Sequence, residues 1–328
     1  MTKDSVLAFL METDGYVSGE MMSRQLGLSR MAVSAAVKAL REDGYVIDSV
    51  TRKGYRLLNA PDRLTNVAIG AYLTPERMAS VICYDVTDST NKRIRDMADD
   101  GAPAGTVAIA NEQTAGRGRR GRSFLSLKDK GIYLSMLLRP ACTPADIATV
   151  TAWTAVAIGR AIFKVTGVCP GIKWVNDLIM DHRKICGILT EMSIESETGS
   201  ISHVVIGIGV NVNQTPEDFP EELREVAGSV AMAVGHPVSR AALAAEMVRQ
   251  LDILRERWPE GRDEFLEEYQ RLCLTVDQDI RVISGQTERL GHAVGIDENF
   301  ALLVTFEDGH TEAVESGEVS VRGIDGYS

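Results

Sequence analysis

An α+β chain built from three segments is the fold class that these 328 residues predict. Three observations predict it. Charge divides the chain near Asn59-Ala60-Pro61-Asp62: residues 1–60 carry 8 Lys/Arg against 7 Asp/Glu, whereas the remainder carries 27 against 39. The middle, residues 63–275, mixes strand-like and helix-like runs without strict β-α-β alternation, which favours a sheet with helices layered on one face. The last stretch, residues 276–328, is short β-rich runs separated by turn signals, the pattern of a small β-barrel.

The first segment reads as three short helices and a hairpin. A helix near Ser5–Thr13 turns Val6, Phe9 and Leu10 inward and stops at Gly15. A second starts after Ser18, a favourable N-cap, buries Met21, Met22 and Leu26, and ends at Gly27. After a three-residue turn a third runs from Ser29 to before Gly44, with Val33, Ala36, Val37 and Leu40 as its apolar stripe. Arg30, Ser34, Lys38 and Arg41 recur at spacings of 4, 4 and 3, so they share its opposite face. Tyr45–Ile47 and Tyr55–Leu58 are strands around a basic tip that contains Arg52 and Lys53. Two helices across a tight turn, the second with a basic face, followed by a hairpin, describe a winged helix-turn-helix. Its basic stripe suits DNA, and it equally suits a solvated face of a docking domain. Six basic residues against three acidic between Arg30 and Arg56 favour DNA.

In the middle segment Val81–Asp85, Thr106–Ala110, Ile132–Leu138, Ile172–Val175, Ile185–Glu191 and His203–Val212 read as strands. Asn91–Asp99, Pro144–Thr166, Ser239–Trp258 and a stretch near Gly261–Cys273 read as helices. In the tail, turn signals fall at Ser284-Gly285, Asp297-Glu298-Asn299 and Asp308-Gly309.

Composition narrows the chemistry. The net charge of −11 argues against a chain coated in nucleic acid, so any DNA contact is local. The five cysteines stand no closer than 17 apart, which argues against a zinc knuckle, a Cys-x-x-Cys redox motif or a disulfide framework, and fits a reducing cytosol. The five histidines form no i,i+4 pair and no metal spacing. The longest uncharged helical stretch, Ile147–Gly159, has 13 residues against the roughly 20 a spanning helix needs. The expectation is a soluble, cytoplasmic chain with no membrane partner.

Four motifs carry possible chemistry. In Gly116-Arg117-Gly118-Arg119-Arg120-Gly121-Arg122, four cations and three glycines fill seven positions of an acidic chain. Glycine allows close backbone approach, and arginine offers a planar fork for phosphate or carboxylate. The run suits a loop over a polyanionic ligand such as a nucleotide. It is not a phosphate loop of the G-x-x-x-x-G-K-[ST] kind, and the competing reading is an Arg-Gly nucleic-acid arm. Lys173-Trp174-Val175-Asn176-Asp177, followed by Lys184 and Gly187, could offer a carboxylate to Mg²⁺ or an amine and a compact cation to a phosphate. Asn-Asp is also ordinary turn chemistry. Gly207-Ile208-Gly209-Val210-Asn211 fails as a dinucleotide fingerprint, because position 212 is valine and the run looks like a strand. Asp88-Ser89-Thr90-Asn91 opens a helix, and by itself N-capping explains it.

Taken together, in this order and spacing, Asp88–Asn91, Gln113, the Gly116–Arg122 loop, Lys173–Asp177, Lys184 with Gly187, and Gly207–Asn211 resemble the biotin–protein ligases. With the winged helix in front, all of residues 1–328 resemble the bifunctional biotin ligase and biotin operon repressor family. The resemblance implies a class II synthetase-like α+β catalytic domain over 63–275 and an SH3-like C-terminal barrel over 276–328. It implies a two-step reaction: biotin and MgATP give biotinoyl-5′-AMP, then a lysine of a biotin carboxyl carrier domain takes the biotin and AMP leaves. It implies biotin contacts from Ser89, Thr90, Asn91, Gln113, Gly116, Arg117, Gly118, Arg119, Lys184 and Gly187. It implies adenylate contacts from Arg119, Arg120, Arg122, Asn176, Asp177, Lys184, Asn211 and Arg322, with Lys184, Asp177 and Arg119 in the chemistry. Mg²⁺ would come with ATP and not in a fixed protein site. Operator DNA would meet Arg30, Ser34, Lys38, Arg41, Arg52 and Lys53 in an adenylate-bound homodimer. Two departures stand out: Val175 replaces a frequent proline, and Phe124 stands where many members carry tryptophan. A sensing repressor with a silent ligase core and a lipoate–protein ligase are the competing expectations. The intact Asp177, Lys184 and loop arginines argue against the first, and the arginine loop with the winged helix argues against the second.

Overall fold

A computed structural model describes residues 2–140, 142–194, 200–284, 286–315 and 319–323. The chain forms two compact units, Met1–Arg63 and Leu64–Ser328.

The first unit holds α1 (Thr2–Glu12), α2 (Gly19–Leu26), α3 (Arg30–Glu42), β1 (Val46–Val50) and β2 (Gly54–Asn59). The caps are those the sequence offers. The Ser18 side chain accepts from Met21 N, Gly27 closes α2 at φ 65°, and the Ser29 side chain accepts from Ala32 N. On α3 the expected stripe, Val33, Ala36, Val37 and Leu40, is buried. Elsewhere the inward set differs. In α1 Leu7 joins Val6 and Leu10 in the core and Phe9 is only half-buried. In α2 Met22 alone is fully buried, Leu26 is half-buried and Met21 is exposed. A 3.6-residue period allows either neighbour of a stripe edge to point inward, and packing decides which. β1 and β2 pair antiparallel as the wing, and at Gly54 an added Cβ would lie 2.1 Å from Val17 O.

The second unit begins with two short helices, α4 (Asn66–Gly70) and α5 (Pro75–Met78), which the sequence reading omitted. It continues through β3 (Val81–Thr87), α6 (Thr90–Asp99), β4 (Val107–Gln113), β5 (Gly131–Leu138), α7 (Pro144–Thr166), β6 (Gly171–Lys173), β7 (Asp177–Met180), β8 (Arg183–Ile194) and β9 (Ile201–Asn211). The strands form one seven-stranded mixed sheet, order β3-β4-β5-β9-β8-β7-β6, in which only β3 and β4 run parallel. After α8 (Val230–Val234), α9 (Arg240–Arg257) and α10 (Arg262–Leu272) complete the helical layer. Its α7, α9 and α10 pack on one face, where Val204, Ile206, Ile208 and Val210 of β9 join the large core with Trp153, Val156, Leu243 and Leu251. Trp153 stacks on Phe265 at 4.1 Å.

The expectation of helices on a single face needs correction. α6 lies on the opposite face, where Ile94 and Ala98 cover Ala108, Leu137 and Val205. β5 is buried at every position and β9 at most, so both sheet faces require cover. β7 was also missed, because Asn-Asp at its start reads as a turn. The remaining strands, β10 (Asp279–Ser284), β11 (Thr287–Ile296), β12 (Leu302–Phe306), β13 (Thr311–Val314) and β14 (Val319–Gly323), form a five-stranded antiparallel sheet, order β13-β12-β11-β10-β14, consistent with an SH3-like domain. It shares the large core, and Trp174 Nε1 donates to Phe300 O at 2.9 Å. Of the tail's turn signals, Gly285 lies outside the described residues.

Candidate active site

β9 supplies a floor. Its residues alternate faces, so Gly207 and Gly209 both turn away from α7 and α9. Across the ladder Gly209 pairs with Gly187 of β8, and Gly207 with Leu189 and with Ser135 of β5. Neither floor glycine tolerates a side chain. A Cβ on Gly207 would lie 2.0 Å from Asn91 Oδ1, and one on Gly209 would lie 2.5 Å from Phe124 Cε1. The glycine pair that fails as a nucleotide fingerprint is thus the base of a cavity of about 530 Å³.

One wall is the start of α6. Ser89 sits at the N-cap position, yet its side chain makes no cap hydrogen bond, and it lines the cavity. This overturns the capping explanation of Asp88–Asn91. The Asp88 carboxylate instead accepts from Ser89 N at 2.8 Å and pairs with Lys92 and Arg93. Desolvation raises its pKa, but those partners win and hold it well below the usual carboxylate range. The loop is tied to this corner through Thr114 N to Thr87 O and Ala115 N to Asp88 O.

Behind the wall lies a closed polar network. Gln113 Oε1 accepts from Thr90 N at 2.8 Å and Thr90 Oγ1 at 3.1 Å, and Gln113 Nε2 donates to Ser126 Oγ at 3.0 Å. Ser135 Oγ lies 2.7 Å from Thr90 Oγ1 and 2.6 Å from Asn91 Oδ1. Asn91 Nδ2 donates to Glu191 Oε2 at 2.7 Å.

The arginine loop covers the other side. Phe124 N donates to Gly116 O and Gly118 N to Arg122 O, which folds residues 116–124 back on themselves. Gly121 has φ 72°, a left-handed turn that glycine adopts without strain. Arg119 NH1 reaches Asn176 Oδ1 at 3.1 Å. Burial pushes the Arg119 pKa down, and Asp177 opposes that shift. Asn176 is itself held by its donation to Ile188 O, and Lys184 Nζ pairs with Asp177 Oδ1 at 2.7 Å. Arg117, Arg119, Arg120, Arg122, Lys173 and Lys184 line the cavity, and Asp177 is the one carboxylate among the described lining residues. Such a surplus of cations over carboxylates suits a polyanion.

Ser89, Thr90, Asn91, Gln113, Arg117, Gly118, Arg119, Arg120, Arg122, Asn176, Asp177, Lys184 and Gly187 are therefore brought together, as the sequence led one to expect. Two residues fall elsewhere. Asn211 is outside the lining: its Nδ2 donates to Gly228 O and its Oδ1 accepts from Gln214, so its amide is spent on a turn. Gly116 stands at the loop's base, where a Cβ would meet Phe124 O at 2.5 Å. Arg322 has its backbone on β14 opposite Arg281 of β10, and its side chain lies outside the described residues. Sequence reasoning missed Ser126, Ser135 and Glu191: the last two are polar side chains within β5 and β8, and Ser126 lies in the loop before β5, with no local signal of a site. In the first unit, Arg30, Ser34 and Lys38 are exposed on α3, and Arg52 and Lys53 on the wing tip. Arg41 differs, because its guanidinium donates twice to Ile47 O and so braces the wing. Among the described residues, no cluster of three or more His, Cys, Asp or Glu could hold a metal, and no helix is long and apolar enough to cross a membrane.

Comparison with known proteins agrees with this geometry. Residues 83–211 match the Biotin/lipoate A/B protein ligase family, and residues 2–56 match an HTH domain. The chain is 34% identical to the bifunctional ligase/repressor BirA of Bacillus subtilis, over 94% of this chain and 95% of that protein. It is 30% identical to the bifunctional ligase/repressor BirA of Escherichia coli, over 97% of each. Among solved structures, a biotin protein ligase from Aquifex aeolicus in complex with biotin and ATP superposes with a TM-score of 0.64 at 27% identity, covering 74% of this chain and 98% of that one. The chain is a biotin/lipoate-type protein ligase by fold and site. It belongs to the family of bifunctional ligase/repressors.

Proposed function

We propose that this chain activates biotin with ATP and transfers it to a lysine of a biotin carboxyl carrier domain, and that its N-terminal unit represses biotin synthesis or transport genes. The observation that carries the enzymatic reading is the arginine loop tied to Asn176 beside the Lys184–Asp177 pair, above a glycine floor. In this reading residues 63–275 hold the chemistry, 276–328 close its far side and 1–60 read DNA.

The first step sends a biotin carboxylate oxygen onto the α-phosphorus of ATP, and pyrophosphate leaves. Like charges approach, so cations must stand where negative charge accumulates. Lys184, released from Asp177, meets the carboxylate and the α-phosphate, while Arg119, Arg120 and Arg122 bind phosphate and adenylate oxygens and Asn176 anchors the closed loop. Asp177 is the acidic side chain of the described lining that would be available to Mg²⁺ carried on the ATP phosphates, where the ion would offset their charge. Arg322, on β14, is the further residue that the family resemblance assigns to the adenylate. In the second step the carrier lysine amine attacks the acyl carbon of the mixed anhydride, and AMP leaves with the bonding pair. The closed loop excludes water, which would otherwise hydrolyse the anhydride.

Thr90, Gln113 and Asn91 offer directed hydrogen bonds to a head group. That suits the ureido ring of biotin better than the dithiolane of lipoate, which presents no N–H. With adenylate bound, two chains pair about a two-fold axis and set two winged helices on a palindromic operator. Arg30, Ser34, Lys38, Arg52 and Lys53 contact that DNA.

The direct test incubates the purified chain with MgATP, a carrier domain and either biotin or lipoate. Biotin on the carrier lysine, read by mass spectrometry, is the expected result. Lipoyl transfer in its place overturns the substrate assignment.

A further inference from the structure

We propose that Glu191 is a positioning residue that sets the donor–acceptor polarity of the head-group site. The inference rests on the biotin reading above. A carboxylate oxygen accepts hydrogen bonds and cannot donate them. Asn91 therefore turns its amino group, Nδ2, to Glu191 Oε2 at 2.7 Å. Its carbonyl, Oδ1, is then fixed over the floor at Gly207 and 2.6 Å from Ser135 Oγ. Ser135 is fully buried and has one proton. Its Oγ lies within hydrogen-bond distance of both Asn91 Oδ1 and Thr90 Oγ1, so its single proton is shared between those two acceptors. Asn91 Oδ1 over the floor, and Thr90 Oγ1, whose proton goes to Gln113 Oε1, then both present acceptor oxygens to a ligand, the match for the N–H donors of a cyclic urea.

Two further contacts hold the arrangement. Arg95, one helical turn after Asn91 on α6, pairs with Glu191 Oε1 at 3.2 Å. At the other end Thr90 N donates to Gln113 Oε1, which fixes the Gln113 amide with Nε2 toward Ser126. The Asn91 amide is thereby oriented by a carboxylate that is not among the described lining residues. Without Glu191 the Asn91 amide has no reason to prefer one orientation. When it flips, Nδ2 takes the place of Oδ1 over the floor at Gly207, and an acceptor offered to the ligand becomes a donor.

The test uses the full chain. Biotin affinity is measured by calorimetry without ATP, and KM for biotin and for ATP by pyrophosphate exchange, in wild type, Glu191→Ala and Glu191→Gln. A lost hydrogen bond to a charged acceptor weakens biotin binding on the order of 10-fold or more in Glu191→Ala, with KM for ATP and kcat little changed. Glu191→Gln keeps an acceptor oxygen for Asn91 Nδ2 and restores biotin affinity. Unchanged biotin affinity in Glu191→Ala overturns the proposal. So does a parallel rise in both KM values with a lower melting temperature, which is the mark of a merely structural role. If wild type binds no biotin, the substrate reading fails, and this inference fails with it.

Discussion

Lys184 and Asp177 meet at 2.7 Å at the cavity wall, on strands β8 and β7 that the turn at 181–182 brings side by side. Replacing Lys184 with alanine removes the cation that the proposed mechanism sets against the carboxylate and α-phosphate, while leaving the glycine floor and the α6 wall in place. Adenylate formation in Lys184→Ala falls on the order of 10²–10³-fold, and biotin binding partly survives. Single-turnover adenylation and calorimetry separate the two, and near-normal turnover would remove Lys184 from the chemistry. At this scale the sequence was partly legible. Lys184, Asp177 and the loop arginines are charged residues in glycine-rich or apolar surroundings, so they announce themselves. Ser135 and Glu191 do not, because what makes them matter is Asn91, 44 and 100 positions away. Asn211 misleads for the same reason: its position beside the floor glycines suggests a ligand, and its side chain instead holds Gly228.

At the scale of elements, the arginine loop is the proposed gate. It is fastened at its base by Phe124 N to Gly116 O and at its tip by Arg119 to Asn176. Arg119→Gly removes the tip fastening and frees the backbone. The adenylate then escapes, and biotin appears on many surface lysines of bystander proteins as well as on the carrier, a pattern that mass spectrometry of a mixed-protein incubation reads. Labelling confined to the carrier would contradict a gating role. Helices and caps were the most legible elements, since Ser18, Gly27 and Ser29 act over three or four residues. β7 was not, because a four-residue strand opening on Asn-Asp has the local chemistry of a turn and is made a strand by β6 and β8. The face covered by α6 was missed because strand alternation reports which residues share a face and not what lies over it.

For the whole molecule, two compact units divide the work. Removing residues 1–63 leaves the unit Leu64–Ser328 with its core and cavity complete, so ligation persists and operator binding is lost. Gel-shift and carrier-labelling assays on the truncated chain check both halves, and retained operator binding would refute the DNA assignment. The charge split that marked the boundary has a physical reading here, since a nearly neutral unit with a basic α3 face and wing can approach DNA that an acidic chain as a whole repels. The measurement that tests the account most directly is exchange of labelled pyrophosphate into ATP by the purified chain with Mg²⁺, comparing biotin, lipoate and no acid. The account predicts exchange with biotin alone. A folded protein that binds biotin but supports no exchange would contradict it and leave a biotin-sensing repressor.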